Sequence, residues 1–153
     1  MKGLLLKIIL PMALMADTVS ITNLAFSNHG NMVGMNEKHD WIGLKYENNS
    51  NYGFEIAKFK NSYGDKTKFF AINKSFYTDE WNKFKIGVTL SAGYQEGYCI
   101  DNYEIHKCKN TDDDNGIFFI PSVSIKYNDM IGVSMIKVQN ITVGRLEFTL
   151  YKW

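Results

Sequence analysis

The chain has 153 residues, room for one domain around a single interior. Its formal net charge is +1, and among 17 basic residues only Arg145 is an arginine. That balance supplies neither a polyanion-attracting field nor the guanidinium forks that read bases, which argues against nucleic acid as a partner. Aromatic residues make up 14% of the chain, yet mean hydropathy is slightly negative, as happens when apolar residues alternate with polar ones. No apolar run beyond the N-terminus approaches the roughly 20 residues of a spanning helix.

The first element is a targeting segment. Lys2 and Lys7 flank a short apolar stretch, Ile8 to Met15, that ends at Ala16 before the polar Asp17-Thr18. A charged start, a short apolar region and a small residue at the cut are the marks of a secretory signal peptide. The expected division is therefore 1–16 signal peptide and 17–153 a single domain.

From Asp17 onward the period is two, and no helical period competes with it. Strands are expected over Asp17–Ser27, Trp41–Glu47, Tyr52–Lys60, Lys66–Tyr77, Phe84–Tyr94, Ile117–Tyr127, Ile131–Val138 and Val143–Trp153. The fifth is the clearest. Phe84, Ile86, Val88, Leu90, Ala92 and Tyr94 share one face, while Lys85, Gly87, Thr89, Ser91 and Gly93 share the other. Bulky apolar residues opposite small or polar ones fit a lipid-facing exterior around a narrow interior. A soluble barrel or sandwich puts its bulk inside. An even count of eight strands predicts an all-β, eight-stranded antiparallel up-and-down transmembrane β-barrel, monomeric and embedded in the bacterial outer membrane.

Connection lengths sort the two ends. Asn48–Asn51, Thr78–Asn82 and Asn128–Met130 are short and polar, as periplasmic turns are. Asn28–Asp40 and Glu96–Gly116 are longer and belong outside, together with Asn61–Asp65 and the stretch near Gln139–Thr142. Cys99 and Cys108 fall in the longest of these, where an oxidising compartment would close them into a disulfide. The competing reading recruits His106 to the two thiols, but that set is one ligand short of a closed zinc site. All three histidines, His29, His39 and His106, fall in the expected outer loops.

His29 follows the first strand and Asn61-Ser62 follows the third, so an up-and-down barrel brings both to one rim. A hydroxyl and an imidazole there can serve acyl transfer, the histidine taking a proton from serine or acceptor. The plainer reading of Asn61-Ser62-Tyr63-Gly64-Asp65 is a tight turn, for which these residue types are well suited.

Several short stretches carry a resemblance. Met35-Asn36-Glu37, Ile42-Gly43-Leu44, Phe59-Lys60-Asn61-Ser62-Tyr63, Phe84-Lys85-Ile86-Gly87, Ser91-Ala92-Gly93 and Pro121 to Tyr127 resemble, in order, motifs of the lipid A palmitoyltransferases (the PagP family). The resemblance implies an eight-stranded outer-membrane barrel that moves an acyl chain from phospholipid to lipid A, without metal or cofactor. It also implies rim residues that act in catalysis. Ser62 matches the family's serine, His29 is the best match for its histidine, and Asn61 stands where the family has an aspartate. The family's glycine-rich pocket floor corresponds to Ala71-Ile72-Asn73-Lys74. Two rivals stand beside this expectation. One is a non-enzymatic outer-membrane barrel that uses the Cys99–Cys108 loop and Asp112-Asp113-Asp114 for surface interactions. The other is a soluble periplasmic barrel binding a small lipid.

Overall fold

Alternation this regular leaves a backbone no use for helical hydrogen bonds, and the computed structural model is all-β. It describes residues 18–28, 37–62, 64, 66–97, 115–138 and 141–152. Residues 1–17, His29, His106, Cys99 and Cys108 lie outside the described residues, so the expected targeting segment, its cleavage and the disulfide do too. Eight strands follow in chain order: β1 Thr18–Asn28, β2 Lys38–Glu47, β3 Tyr52–Lys60, β4 Lys66–Tyr77, β5 Phe84–Glu96, β6 Asn115–Tyr127, β7 Ile131–Val138 and β8 Ile141–Lys152. Each pairs antiparallel with its neighbours, and β1 pairs with β8 from Thr18↔Lys152 to Asn28↔Thr142, which closes the barrel. The expected eight-stranded antiparallel up-and-down barrel is what forms, and closure leaves no sheet edge exposed.

The tight reversals sit where turn chemistry permits them. Asn51, Asn82, Lys83, Asn128 and Asp129 take positive φ, which asparagine and aspartate tolerate best among residues with a Cβ. Asn48 Oδ1 accepts bonds from the backbone N–H groups of Ser50 and Tyr52, 3.0 Å each, and so pins the β2–β3 turn.

The bounds of β3, β4 and β7 agree with expectation, and those of β1, β2, β5, β6 and β8 move by one to three residues. β2 begins at Lys38, three residues early, so His39 belongs to a strand and not to a loop. β1 carries a register shift between Asn23 and Ala25. Against β8 the same stretch holds one extra β1 residue, Asn23 to Phe26 facing Leu146 to Gly144, and Ala25 and Ser27 follow Thr22 on the inner face.

The barrel is inside-out relative to a soluble protein. Ile117, Phe119, Pro121, Val123, Ile125 and Tyr127 of β6 all face outward and are exposed. At about 3.3 Å per residue and a tilt of roughly 40°, that wall stands about 25 Å tall. Ser20, Thr22, Lys45, Glu55, Lys126 and Arg145 are all buried inside. Gly43 lies on the inner face, where a Cβ would sit 2.9 Å from that of Ala57; only glycine lets β1, β2 and β3 meet so closely there.

Candidate functional site

The lumen has two layers. In the half nearer the short turns, three cations and three anions meet with no net charge. Arg145 Nη1 donates to both oxygens of Glu55 at 2.9 and 3.0 Å, and its Nε donates to Ser134 Oγ at 2.9 Å. Thr22 Oγ1 donates to the same carboxylate at 2.7 Å and accepts from Trp41 Nε1 at 2.9 Å. Glu147 lies between Lys45 (3.1 Å) and Lys126 (2.8 Å). Glu47 accepts from Ser75 Oγ at 2.7 Å and Tyr77 OH at 3.1 Å. A carboxylate that is only 1% exposed, as Glu55 is, persists because a guanidinium nitrogen shared by both its oxygens and a hydroxyl replace its water.

The other layer is apolar. Trp41 stacks on Phe59 with ring centroids 4.5 Å apart, and Phe69 stacks on Phe118 at 4.8 Å. Ala25 and Ala57 pack against this cluster. The change from one layer to the other recurs along most strands. On β2 Trp41 gives way to Lys45, on β3 Ala57 to Glu55, on β6 Phe118 to Ser122, and on β8 Val143 to Arg145.

At the rim with the long connections the apolar layer ends in a serine–histidine pair. His39 is 8% and Ser27 4% exposed. The His39 ring is fixed at both nitrogens, with Nε2 2.7 Å from Ser27 Oγ and Nδ1 2.5 Å from the Lys60 carbonyl oxygen. A carbonyl only accepts, so Nδ1 carries a proton; in the neutral imidazole Nε2 is then the acceptor and Ser27 Oγ–H donates to it. A hydroxyl held by a neutral imidazole whose other nitrogen is oriented by a third group is the arrangement of an activated nucleophile and its base. Sequence reasoning missed it because His39 was assigned to a loop. The available signal was the continuation of strand parity through Lys38-His39-Asp40-Trp41.

Of the residues expected to act at the rim, Asn61 and Ser62 are both buried, in the turn after β3. Lys60, whose carbonyl orients His39, directly precedes them. Asn61 Nδ2 donates to Gly97 O at 2.9 Å, and Thr67 Oγ1 donates to the same oxygen at 3.0 Å. Gly97 has φ +82°, a conformation that suits glycine and turns its carbonyl toward both donors. Asn61 thus ties the β3–β4 turn to the end of β5, and an aspartate there would lack the donor.

At the opposite mouth a pocket of about 350 Å³ is lined by Glu47, Tyr77, Lys126 and Asp129, among others. Asp129 binds Lys85 at 2.8 Å and also Lys152. Burial opposes its ionisation, but the bonds from Lys152 and Lys85 outweigh that and hold the carboxyl below its ordinary range. Among the described residues no group of three or more His, Cys, Asp or Glu is placed to hold a metal ion. No protein-family model and no curated protein matches this chain.

Proposed function

We propose that this protein is an outer-membrane barrel that handles the acyl chains of membrane lipid, as a transferase from phospholipid to lipid A. The observation that supports it is the layered lumen beneath an apolar outer wall. An apolar chamber lies under a polar rim, floored by a neutral plug of ion pairs. A hydrocarbon chain finds apolar partners in the upper layer and meets desolvated charge below it, which limits how deep it can go. Trp41–Phe59 and Phe69–Phe118 fill the chamber, so entry of a chain requires one stacked pair to part.

The base of this reaction is His39. With its Nδ1 proton on the Lys60 carbonyl, Nε2 takes the proton of Ser27 as Oγ attacks the ester carbonyl. The same proton then leaves with the departing lipid hydroxyl. In the second half His39 deprotonates the acceptor hydroxyl, which takes the acyl group and frees Ser27. His29 and Ser62, the residues implied by the family resemblance, are the alternative pair, with His29 outside the described residues. Asn61 positions the turn that carries Lys60 and Ser62.

A second reading, the non-enzymatic barrel, is favoured by the filled chamber and by the engagement of Asn61 with Gly97. Mass spectrometry of lipid A from cells with and without the protein separates the two. A gain of one acyl chain that disappears in Ser27→Ala and in His39→Ala, with heat-modifiable gel migration retained, supports the transferase. Loss in Ser62→Ala and His29→Ala alone reassigns the pair. Unchanged lipid A from cells with a correctly inserted barrel leaves the non-enzymatic reading.

A further inference from the structure

The outer wall is not uniform around the barrel. On β5 and β6 the outward positions are apolar from the short-turn end up to Tyr94 and Ile117. On β2 and β3 the apolar wall is shorter, Ile42 to Tyr46 and Tyr52 to Ile56, and lysines stand above it. Lys58, Lys60, Lys66 and Lys68 all face outward and are exposed, and Lys38 is exposed at the start of β2.

The register places these lysines in an arrangement that opposes folding. Lys58 pairs directly with Lys68, and Lys60 with Lys66. Like charges directly opposite on adjacent strands are destabilising, and here two such pairs stand in succession on one face. The neighbouring acids relieve only half of it. Asp40 lies 2.7 Å from Lys60 and Glu96 2.9 Å from Lys68, while Lys58 and Lys66 have no ionic or hydrogen-bond partner among the described residues. One unpartnered ammonium therefore remains in each cross-strand pair, next to one that is only partly neutralised. An anion with several oxygens would bridge each pair and remove the repulsion.

We infer that the outward face of β2–β4 is a binding site for the phosphate groups of an outer-leaflet lipid, with Lys58 and Lys66 as its principal ligands and Lys60, Lys68 and Lys38 around them. The inference rests on the membrane-embedded reading, because it is the bilayer that brings headgroup phosphates to this height. It is independent of acyl transfer. The lipid's chains lie against Ile42, Ile56 and Phe70 below the lysines, and its phosphates reach the ammoniums above. A surface lysine near an anionic headgroup contributes about 1 kcal/mol, or about fivefold in affinity. Loss of both ligands should therefore weaken retention about 25-fold.

The test uses the full-length protein refolded in zwitterionic micelles, with folding scored by heat-modifiable migration. Bisphosphorylated lipid A, its dephosphorylated form and inorganic phosphate are titrated separately, and bound lipid is read by native mass spectrometry. The expected result is strong retention of the phosphorylated lipid, weak retention of the dephosphorylated form and little binding of inorganic phosphate. Lys58→Gln with Lys66→Gln should give the predicted loss, and the double arginine variant should restore binding. Equal retention of both lipids, or no loss in the glutamine variant, overturns the site while leaving the membrane reading intact. Tight binding of inorganic phosphate alone shows an anion site that does not select lipid, and also overturns the proposal. A chain that folds without entering micelles overturns both.

Discussion

Replacing Arg145 by Met probes the ion-paired plug directly. The guanidinium makes two bonds to Glu55 and one to Ser134 and lies over the Trp41 ring at 5.4 Å. Methionine retains much of the aliphatic bulk, so the dominant loss is the countercharge of a carboxylate that is almost wholly buried. Breaking a buried pair from one side costs about 3–5 kcal/mol, because the abandoned charge has no water to return to. Removing both charges in Glu55→Leu/Arg145→Met should recover most of that loss, since an apolar pair of similar volume is often neutral or better. The two single variants and the double variant therefore form a cycle with a coupling energy of about 3 kcal/mol, at the top of the range for contacting residues. Urea unfolding of the refolded barrel, followed by tryptophan fluorescence and by gel migration, measures all four stabilities. A loss below about 1 kcal/mol in Arg145→Met refutes the reasoning. So does a double variant no more stable than the worse single one.

Val88 is at an outward position near the middle of β5, and Val88→Arg should cost about 2–4 kcal/mol if that position lies at the bilayer midplane. Unchanged folding of this variant into vesicles counts against the lipid-facing wall. Asn61→Asp restores the carboxylate of the family motif, but it replaces a donor to Gly97 O by an acceptor. Stability should fall by about 1–3 kcal/mol, and a more stable variant would show that the tie to Gly97 is not what holds this turn. Asp129 titrates below its ordinary value of 3.8 in the folded barrel. The stability it contributes is present above that value and is lost as pH falls through the depressed folded value. Asp129→Asn should flatten the acid limb of the stability curve, and an unaltered limb would remove Asp129 from the account.

The strands were legible because the two faces of each differ in polarity, and a period of two is visible in a single sequence. Tyr52–Lys60, Lys66–Tyr77 and Ile131–Val138 carry that signal to their last residues, and their bounds agree with expectation. It failed where polarity stops marking the face. His39 is polar and buried, between exposed Lys38 and Asp40, so three hydrophilic residues in a row resembled a loop. The β1 bulge was invisible because its evidence is a pairing register. Glu55, Lys45, Lys126, Arg145 and Glu147 could be assigned to the inner face by parity. Which of them meet depends on barrel closure, and Lys45 meets Glu147 across 102 positions of sequence. The Ser27–His39 pair needed both missed features, the bulge and the early start of β2.

The plug also sets the order in which the barrel can assemble. Two of its charges, Arg145 and Glu147, sit on the last strand, while their partners lie on β2, β3 and β6. Until β8 joins β1, Glu55 has no guanidinium, and Lys45 and Lys126 have no shared carboxylate. If the barrel is membrane-embedded, as proposed, an incomplete sheet would hold those charges without these partners, at several kcal/mol each. Loop closure over most of the chain must come first for the pairs that join β8 to β2 and β3, Glu147 with Lys45 and Arg145 with Glu55. On the membrane-embedded reading proposed above, a chain arrested before β8 has no stable halfway state, and insertion and closure become one cooperative event.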